Sequence, residues 1–355
     1  MNITIIIPTK NRSLFITRQL KYYSESGFSG HIFIGDSSDT HEYQYNKKSI
    51  EKYSNSLNIM HFYDKSFSAE RMMSHLCTYV KTDYLSALMD DDIILTKSLY
   101  ECICYLNNNP DYSAVHGKSF LMEVDACSNQ PYGSSASLIE VDEMAVSEGK
   151  SSESRIADFF IKVRNVNMSV VRTDIGIASF KEVCKLSNYY ASNIFGELIQ
   201  ATVVISMGKI KELDCYYLIR QVHHDQLFSK LDFYDWITGS EWRNSYDHLI
   251  SIINRGLMND ESQDNVNCLY KAEDILKQYM SKIMLNGLDY NNHKKHKFST
   301  KVKEYLKQIN IVRVFIDYYR LVKSERTFHQ IVSGDNNSSS EDLITYRKIV
   351  LDDWV

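Results

Sequence analysis

Tyr84-Leu85-Ser86-Ala87-Leu88-Met89-Asp90-Asp91-Asp92-Ile93-Ile94 is an apolar run interrupted by three consecutive acids. Its first six residues suit a strand buried on both faces in a parallel sheet, so the pattern predicts a strand over 84–89. Carboxylates at the carboxyl end of such a strand stand where open α/β sheets bind their ligands. Upstream, Ile3 to Ile7 is a second continuous β-branched run, closed by Pro8. Leu14, Ile16, Leu20 and Tyr23 then mark a helix that Gly27 and Gly30 break. His31 to Ile34 reads as a strand ending on Gly35-Asp36-Ser37-Ser38-Asp39, and Leu57 to Phe62 as another. Phe67 to Val80 and Thr96 to Asn108 are helical in pattern. This alternation predicts an α/β fold whose central sheet is mainly parallel and flanked by helices.

From Tyr112 onward the pattern loosens. Ala114 to Phe120, Val170-Val171 and Leu213 to Ile219 are strand-like, while Ile175 to Leu186 and Ser192 to Ile205 are helical. After Trp242 the periodicity is mainly helical, and Ser333 to Ser340 is a polar loop. A boundary near residue 240 separates a sheet-based domain, 1–240, from a helical C-terminal region, 241–355.

The chain has 355 residues, 44% hydrophobic and 24% charged, which is enough for a sizeable core. A net charge of −5 argues against a general nucleic-acid binder, which needs a basic footprint. The charge is uneven: residues 276–332 hold 12 Lys/Arg and 4 Asp/Glu, a local +8 that leaves −13 on the remainder. Seven cysteines without a CxxC pair suit a reducing cytoplasm, and neither a signal peptide nor a spanning helix is expected.

In a strand-end turn, carboxylates two residues apart can face one cavity, and such hard oxygens suit Mg²⁺ or Mn²⁺. The bland alternative for Asp90–Asp92 is a turn that caps the following helix. Asp36, in Asp-Ser-Ser-Asp, has the same alternative. Glu197 is the only acid between Tyr189 and Met207, inside an otherwise apolar stretch, where burial would raise its pKa toward base work. Arg220-Gln221-Val222-His223-His224-Asp225 follows the strand that ends near Ile219. There is no GxxxxGK[ST], no GxGxxG, no GxSxG and no zinc pattern.

Pro8-Thr9-Lys10-Asn11-Arg12 after the first strand, Asp36 after the second and Asp90-Asp91-Asp92 after the fourth together resemble a GT-A glycosyltransferase. Ser68-Ala69-Glu70-Arg71 fits the same pattern. The similarity runs over about residues 1–225 and is greatest to the family-2-like bacterial enzymes of surface polysaccharide or glycan assembly. It implies a Rossmann-like nucleotide-binding half over about 1–120 and an acceptor half over about 121–240. It further implies that Pro8, Thr9 and Arg12 line the nucleotide and that Asp36 meets the base or ribose. Asp90 and Asp91 would serve the bound donor, and Asp92 a Mn²⁺ or Mg²⁺ ion, with His223 or else His224 completing the metal shell or meeting a phosphate. Arg71 would reach the diphosphate, or else is an ordinary helix-surface arginine. Glu197 takes the place of the general base of an inverting transfer, although the adjacent Glu-Asp pair usual in that family is absent.

The expected function is therefore transfer of a sugar, from a UDP-sugar by default, to a glycan or lipid-linked acceptor. Nucleotidyl transfer to a sugar phosphate and a noncatalytic GT-A-like subunit are the alternatives. For the basic residues 276–332 the options are a helix face in solvent, peripheral contact with the inner face of the cell membrane, or a homodimer interface.

Overall fold

The computed structural model describes residues 1–124, 130–186, 192–222, 237–240, 242–259, 264–293 and 339–352. Four strands build the first half: β1 (Ile3–Thr9), β2 (His31–Asp36), β3 (Asn58–Tyr63) and β4 (Tyr84–Ala87). They alternate with α1 (Ser13–Glu25), α2 (Thr40–Tyr53) and α3 (Ala69–Cys77). Every residue of β1 is buried, as a β-branched run covered on both faces should be. β1 pairs in parallel with β2 on one side and with β4 on the other, so the chain reverses its direction of travel across the sheet at β1. That reversal opens a crevice at the carboxyl ends of β1 and β4.

The second half extends the sheet through β5 (Ile93–Ile94), β6 (Tyr112–Val124), β7 (Ala136–Val141), β8 (Val170–Arg172) and β9 (Lys209–Val222). Among the described residues the sheet has nine strands, in the order β3-β2-β1-β4-β8-β6-β9-β5, with β7 beside β6. β8 is antiparallel to both β4 and β6, so β1, β2, β3, β4, β6 and β9 all run one way. The helices here are α4 (Thr96–Asn108), α5 (Ser152–Ile161), α6 (Thr173–Cys184) and α7 (Ser192–Met207), followed by α8 (Trp242–Leu257), α9 (Asn265–His293) and α10 (Ser339–Asp352).

Several elements differ from the sequence expectation. The acidic run does not simply follow a strand over 84–89. β4 stops at Ala87, the Asp92 N–H closes a turn onto the Met89 carbonyl at 3.2 Å, and Ile93-Ile94 pairs antiparallel with Ile219 and Leu218 of β9. The acids thus form a loop whose two ends are both tied into the sheet. α2 was silent in the pattern because it buries Asn46 and no apolar side chain. β6 and β9 are longer than their apolar cores.

The core is divided. One cluster joins the β1 side of the sheet to α1, α4 and α10, including Leu343, Tyr346, Ile349 and Val350. Another joins α5 and α7 to α8 and α9 through Ile199, Leu249, Ile253 and Cys268. No described helix is long and apolar enough to cross a membrane. Residues 294–332, most of the basic stretch, lie outside the described residues.

Candidate active site

The acidic loop meets the end of β1 directly. Thr9 donates from Oγ1 to Asp90 Oδ2 at 2.8 Å. Arg12, in the turn between β1 and α1, bridges two acids through Nη1, at 2.9 Å to Asp90 and 2.8 Å to Asp91. Asp90 and Asp92 are buried, whereas Asp91 keeps 19% of its side chain exposed. Burial and the neighbouring Asp91 charge push Asp90 up to about 6 against the pull of Arg12 and Thr9. The same two causes push Asp92 well above the carboxylate range, opposed by Arg220, Gln221 and Arg18. Asp92 Oδ1 accepts from the Gln221 N–H at 3.2 Å. Its Oδ2 lies 3.5 Å from Arg220 Nε, which is buried and makes no hydrogen bond, while Arg220 Nη1 reaches Asp142 at 2.8 Å.

Two side chains of α1, both fully buried, hold the loop's backbone. Gln19 donates from Nε2 to the Met89 and Asp92 carbonyls, each at 2.7 Å. Arg18 donates from Nη2 to the Asp91 carbonyl at 2.7 Å, and from Nη1 to the Pro131 carbonyl and the Gln221 side chain. The sequence reading passed over Arg18, Gln19, Arg220 and Gln221. Two polar residues side by side on a helix whose apolar stripe packs on the sheet were the available signal for the first pair.

Pro8 is buried in β1 opposite Gly35. Asp36, fully buried, accepts from the Ser38 N–H at 2.9 Å, from Asn46 at 2.9 Å and approaches His61 at 3.2 Å. Burial pushes its carboxyl up, but those three partners outweigh it and hold Asp36 below the usual range. As placed, Asp36 shapes the turn Ser37–Asp39, which Asn11 grips in turn: its N–H donates to Ser38 Oγ at 2.8 Å and its Oδ1 accepts from the Asp39 N–H at 2.7 Å. Asn11 takes a positive φ of 57° to do so, a conformation asparagine tolerates better than most residues. The first amide of α1, at Ser13, already donates to Glu42 of α2 at 3.0 Å, so a carboxylate occupies part of the helix end that could otherwise meet a phosphate.

Arg71 is exposed on α3, with its guanidinium 4.1 Å from the Phe67 ring centre. Its contacts are with the segment before α3 and not with the acidic loop. Glu197 projects from α7 with an exposed side chain between buried Gly196 and Leu198. Even so, the surrounding protein raises its carboxyl above the usual range, and the charge of Arg220 opposes that rise. Arg220 feels the charges of both Asp92 and Glu197 and so links the acidic loop to α7. His223 and His224 lie outside the described residues.

No protein-family model and no curated protein matches the chain. Among solved structures, S. aureus TarS residues 1–349 in complex with UDP-GlcNAc superposes with a TM-score of 0.52 at 14% identity, over 99% of this chain and 90% of that one. The same protein in complex with UDP gives 0.50 at 14% identity over the same shares. The chain has the GT-A glycosyltransferase fold. It matches 44% of the longer S. aureus TarS chain, at a TM-score of 0.45.

Within this GT-A fold, no group of three or more His, Cys, Asp or Glu among the described residues could hold a metal alone. A Mg²⁺ or Mn²⁺ ion shared with a diphosphate asks for only one or two carboxylates. Asp92 fits that demand: it offers hard oxygens in a place where burial and Asp91 leave negative charge poorly compensated.

Proposed function

We propose that the chain is a glycosyltransferase that moves a sugar from a nucleotide-sugar donor, with a UDP-sugar favoured, to a glycan or lipid-linked acceptor. The observation that carries this reading is the junction of Thr9 and Arg12 with Asp90 and Asp91 across the crevice where the sheet reverses. The GT-A fold shared with a protein that binds UDP-GlcNAc supports it. Pro8, Thr9 and Arg12 line the nucleotide, and Asp36 acts on the base or ribose through the turn it shapes. Asp90 and Asp91 meet the donor, and Arg71 reaches the diphosphate only by leaving its stack on Phe67.

Asp92 and His223 would hold Mn²⁺ or Mg²⁺, which supplies positive charge against the diphosphate as it departs. The acceptor hydroxyl oxygen bonds to the anomeric carbon while the bond to the diphosphate breaks. Its proton passes to the Glu197 carboxylate, and a single displacement inverts the configuration. Contact of the basic stretch with an anionic membrane surface belongs to the same proposal. Liposome flotation at low salt tests that part, and absence of flotation removes it.

The main test is thermal-shift binding of UDP, GDP, CMP and TDP, with and without Mn²⁺, for wild type and Asp92→Ala. The expected result is stabilisation by one nucleotide, dependent on metal and lost in the variant. No response to any nucleotide sinks the donor site. A response that is independent of both metal and Asp92 sinks the metal-assisted chemistry.

A further inference from the structure

Arg18 is the most deeply committed cation near the acidic loop, and nothing in the proposed chemistry uses it. Its side chain is fully buried, yet none of its hydrogen bonds described above goes to a carboxylate. They go to a carbonyl of the acidic loop (Asp91), to a carbonyl of the segment before β7 (Pro131) and to the side chain of Gln221 near the end of β9. Gln221 gives its backbone N–H to Asp92 and its side-chain amide to the Gln130 carbonyl at 3.0 Å. The planar fork of one guanidinium thereby sets the spacing between the acidic loop and β9. Gln19, one residue on, takes the two carbonyls that flank the loop. Arg18 Nη1 and Nη2 are met in this way while its buried Nε has no hydrogen-bond partner among the described residues, so the packing of its faces carries part of the cost of burial.

The faces are packed by two rings, Phe15 at 5.2 Å from α1 itself and Tyr346 at 5.4 Å from α10. Tyr346 is fully buried and its hydroxyl makes no hydrogen bond, so its contribution here is the ring. It also packs edge-on against Tyr22, at 5.6 Å between ring centres. We infer that Arg18 is a positioning residue of the donor site and that α10 belongs to that site by covering Arg18 with Tyr346. The inference rests on the reading of the acidic loop as a donor site. It adds that the C-terminal helix, 247 positions beyond Asp92 at its first residue, sets the loop's geometry.

The test uses the full chain and the nucleotide that stabilises wild type in the thermal-shift panel, with Mn²⁺. Calorimetric affinity, donor KM and kcat are measured well below the Tm of each variant. Arg18→Lys keeps a charge but cannot span the carbonyl and Gln221 together, and Tyr346→Ala removes the cover. Both are expected to weaken nucleotide binding by about tenfold or more and to raise donor KM, because a small misplacement of a binding group is costly. Tyr346→Phe keeps the ring and restores the affinity. A purely structural role lowers Tm and leaves the affinity of the folded protein alone, so folded variants with wild-type affinity overturn the inference. If Arg18→Lys does not fold, the Tyr346 pair decides on the same criterion. If wild type binds no nucleotide, the donor-site reading falls and takes this inference with it. Wild-type binding with unchanged variants removes only the positioning role.

Discussion

Asp90 titrates at about 6 in the folded chain because burial and Asp91 outweigh Arg12 and Thr9. An unfolded aspartate titrates near ~3.9. Between about pH 4 and 6 the folded state therefore holds a proton that the unfolded state has released, and stability falls as pH rises through that window. Asp90→Asn removes the buried charge and keeps an acceptor for Thr9. It is expected to flatten the dependence of Tm on pH between about 4 and 6 and to raise Tm at pH 7.5 by about 2–4 °C, while losing nucleotide binding. An unchanged slope of Tm against pH would mean that Asp90 is not the titrating group. Glu197 makes a second prediction. Its carboxyl lies above the usual range, so the acid limb of kcat/KM should sit above that range too. Arg220→Met removes the charge that opposes the rise and should move the limb to higher pH. Glu197→Gln should lower kcat by roughly 10²- to 10⁴-fold with nucleotide binding retained. A pH profile that ignores both substitutions would exclude Glu197 as the base.

At the scale of elements, two helices that flank the site borrow their N-terminal caps from far along the chain. α1 receives Glu42 from α2, as described. α4 starts after Leu95 with no side-chain cap of its own, and its Lys97 N–H donates to Asp342 of α10 at 2.7 Å. Asp342 is buried, which raises its pKa, and Lys97 pulls the other way. Asp342→Ala should cost roughly 1–2 kcal/mol of stability, as other lost caps do, while Asp342→Asn should recover most of it. Denaturation midpoints of the two variants check this, and equal losses would show that the cap contributes nothing. Such partnerships explain what the sequence could and could not disclose. The acidic loop was legible because an apolar strand and its terminal acids are contiguous. α2 was not, because its one fully buried side chain is Asn46 and only Ile50 and Tyr53, half-buried, pack against the core from a largely polar helix. Arg18 and Gln19 were hidden because their acceptors are carbonyls about 70 residues or more away, and no local pattern encodes those.

Over the whole molecule, the described helices of the C-terminal region are divided between two cores. α8 and α9 complete the cluster of α5 and α7, while α10 completes the cluster around β1 and α1. The division near residue 240 is therefore proposed as one of function, between sheet and helices, with folding shared across it. Periodicity announced helices after Trp242, but it could not say what each would cover, since α8 and α9 pack on α5 and α7 while α10 packs on the cluster around β1, α1 and α4. The consequence for stability is large. Leu343, Tyr346, Ile349 and Val350 are each at most 1% exposed. Burial of each such side chain is worth about 1.5–3 kcal/mol, and a domain's net stability is only ~5–15 kcal/mol. Deleting residues 339–355 should thus remove an amount comparable to the whole and leave Tyr22, Tyr23 and Arg18 facing water. We expect the intact chain to unfold in one transition by guanidinium titration, followed by both circular dichroism and tryptophan fluorescence. The 1–338 chain should show no cooperative transition. A 1–338 chain that unfolds at the wild-type midpoint would mean that α10 only rests on the core. In that case the deletion should also leave nucleotide affinity intact, so the same preparation tests α10 in folding and at the donor site.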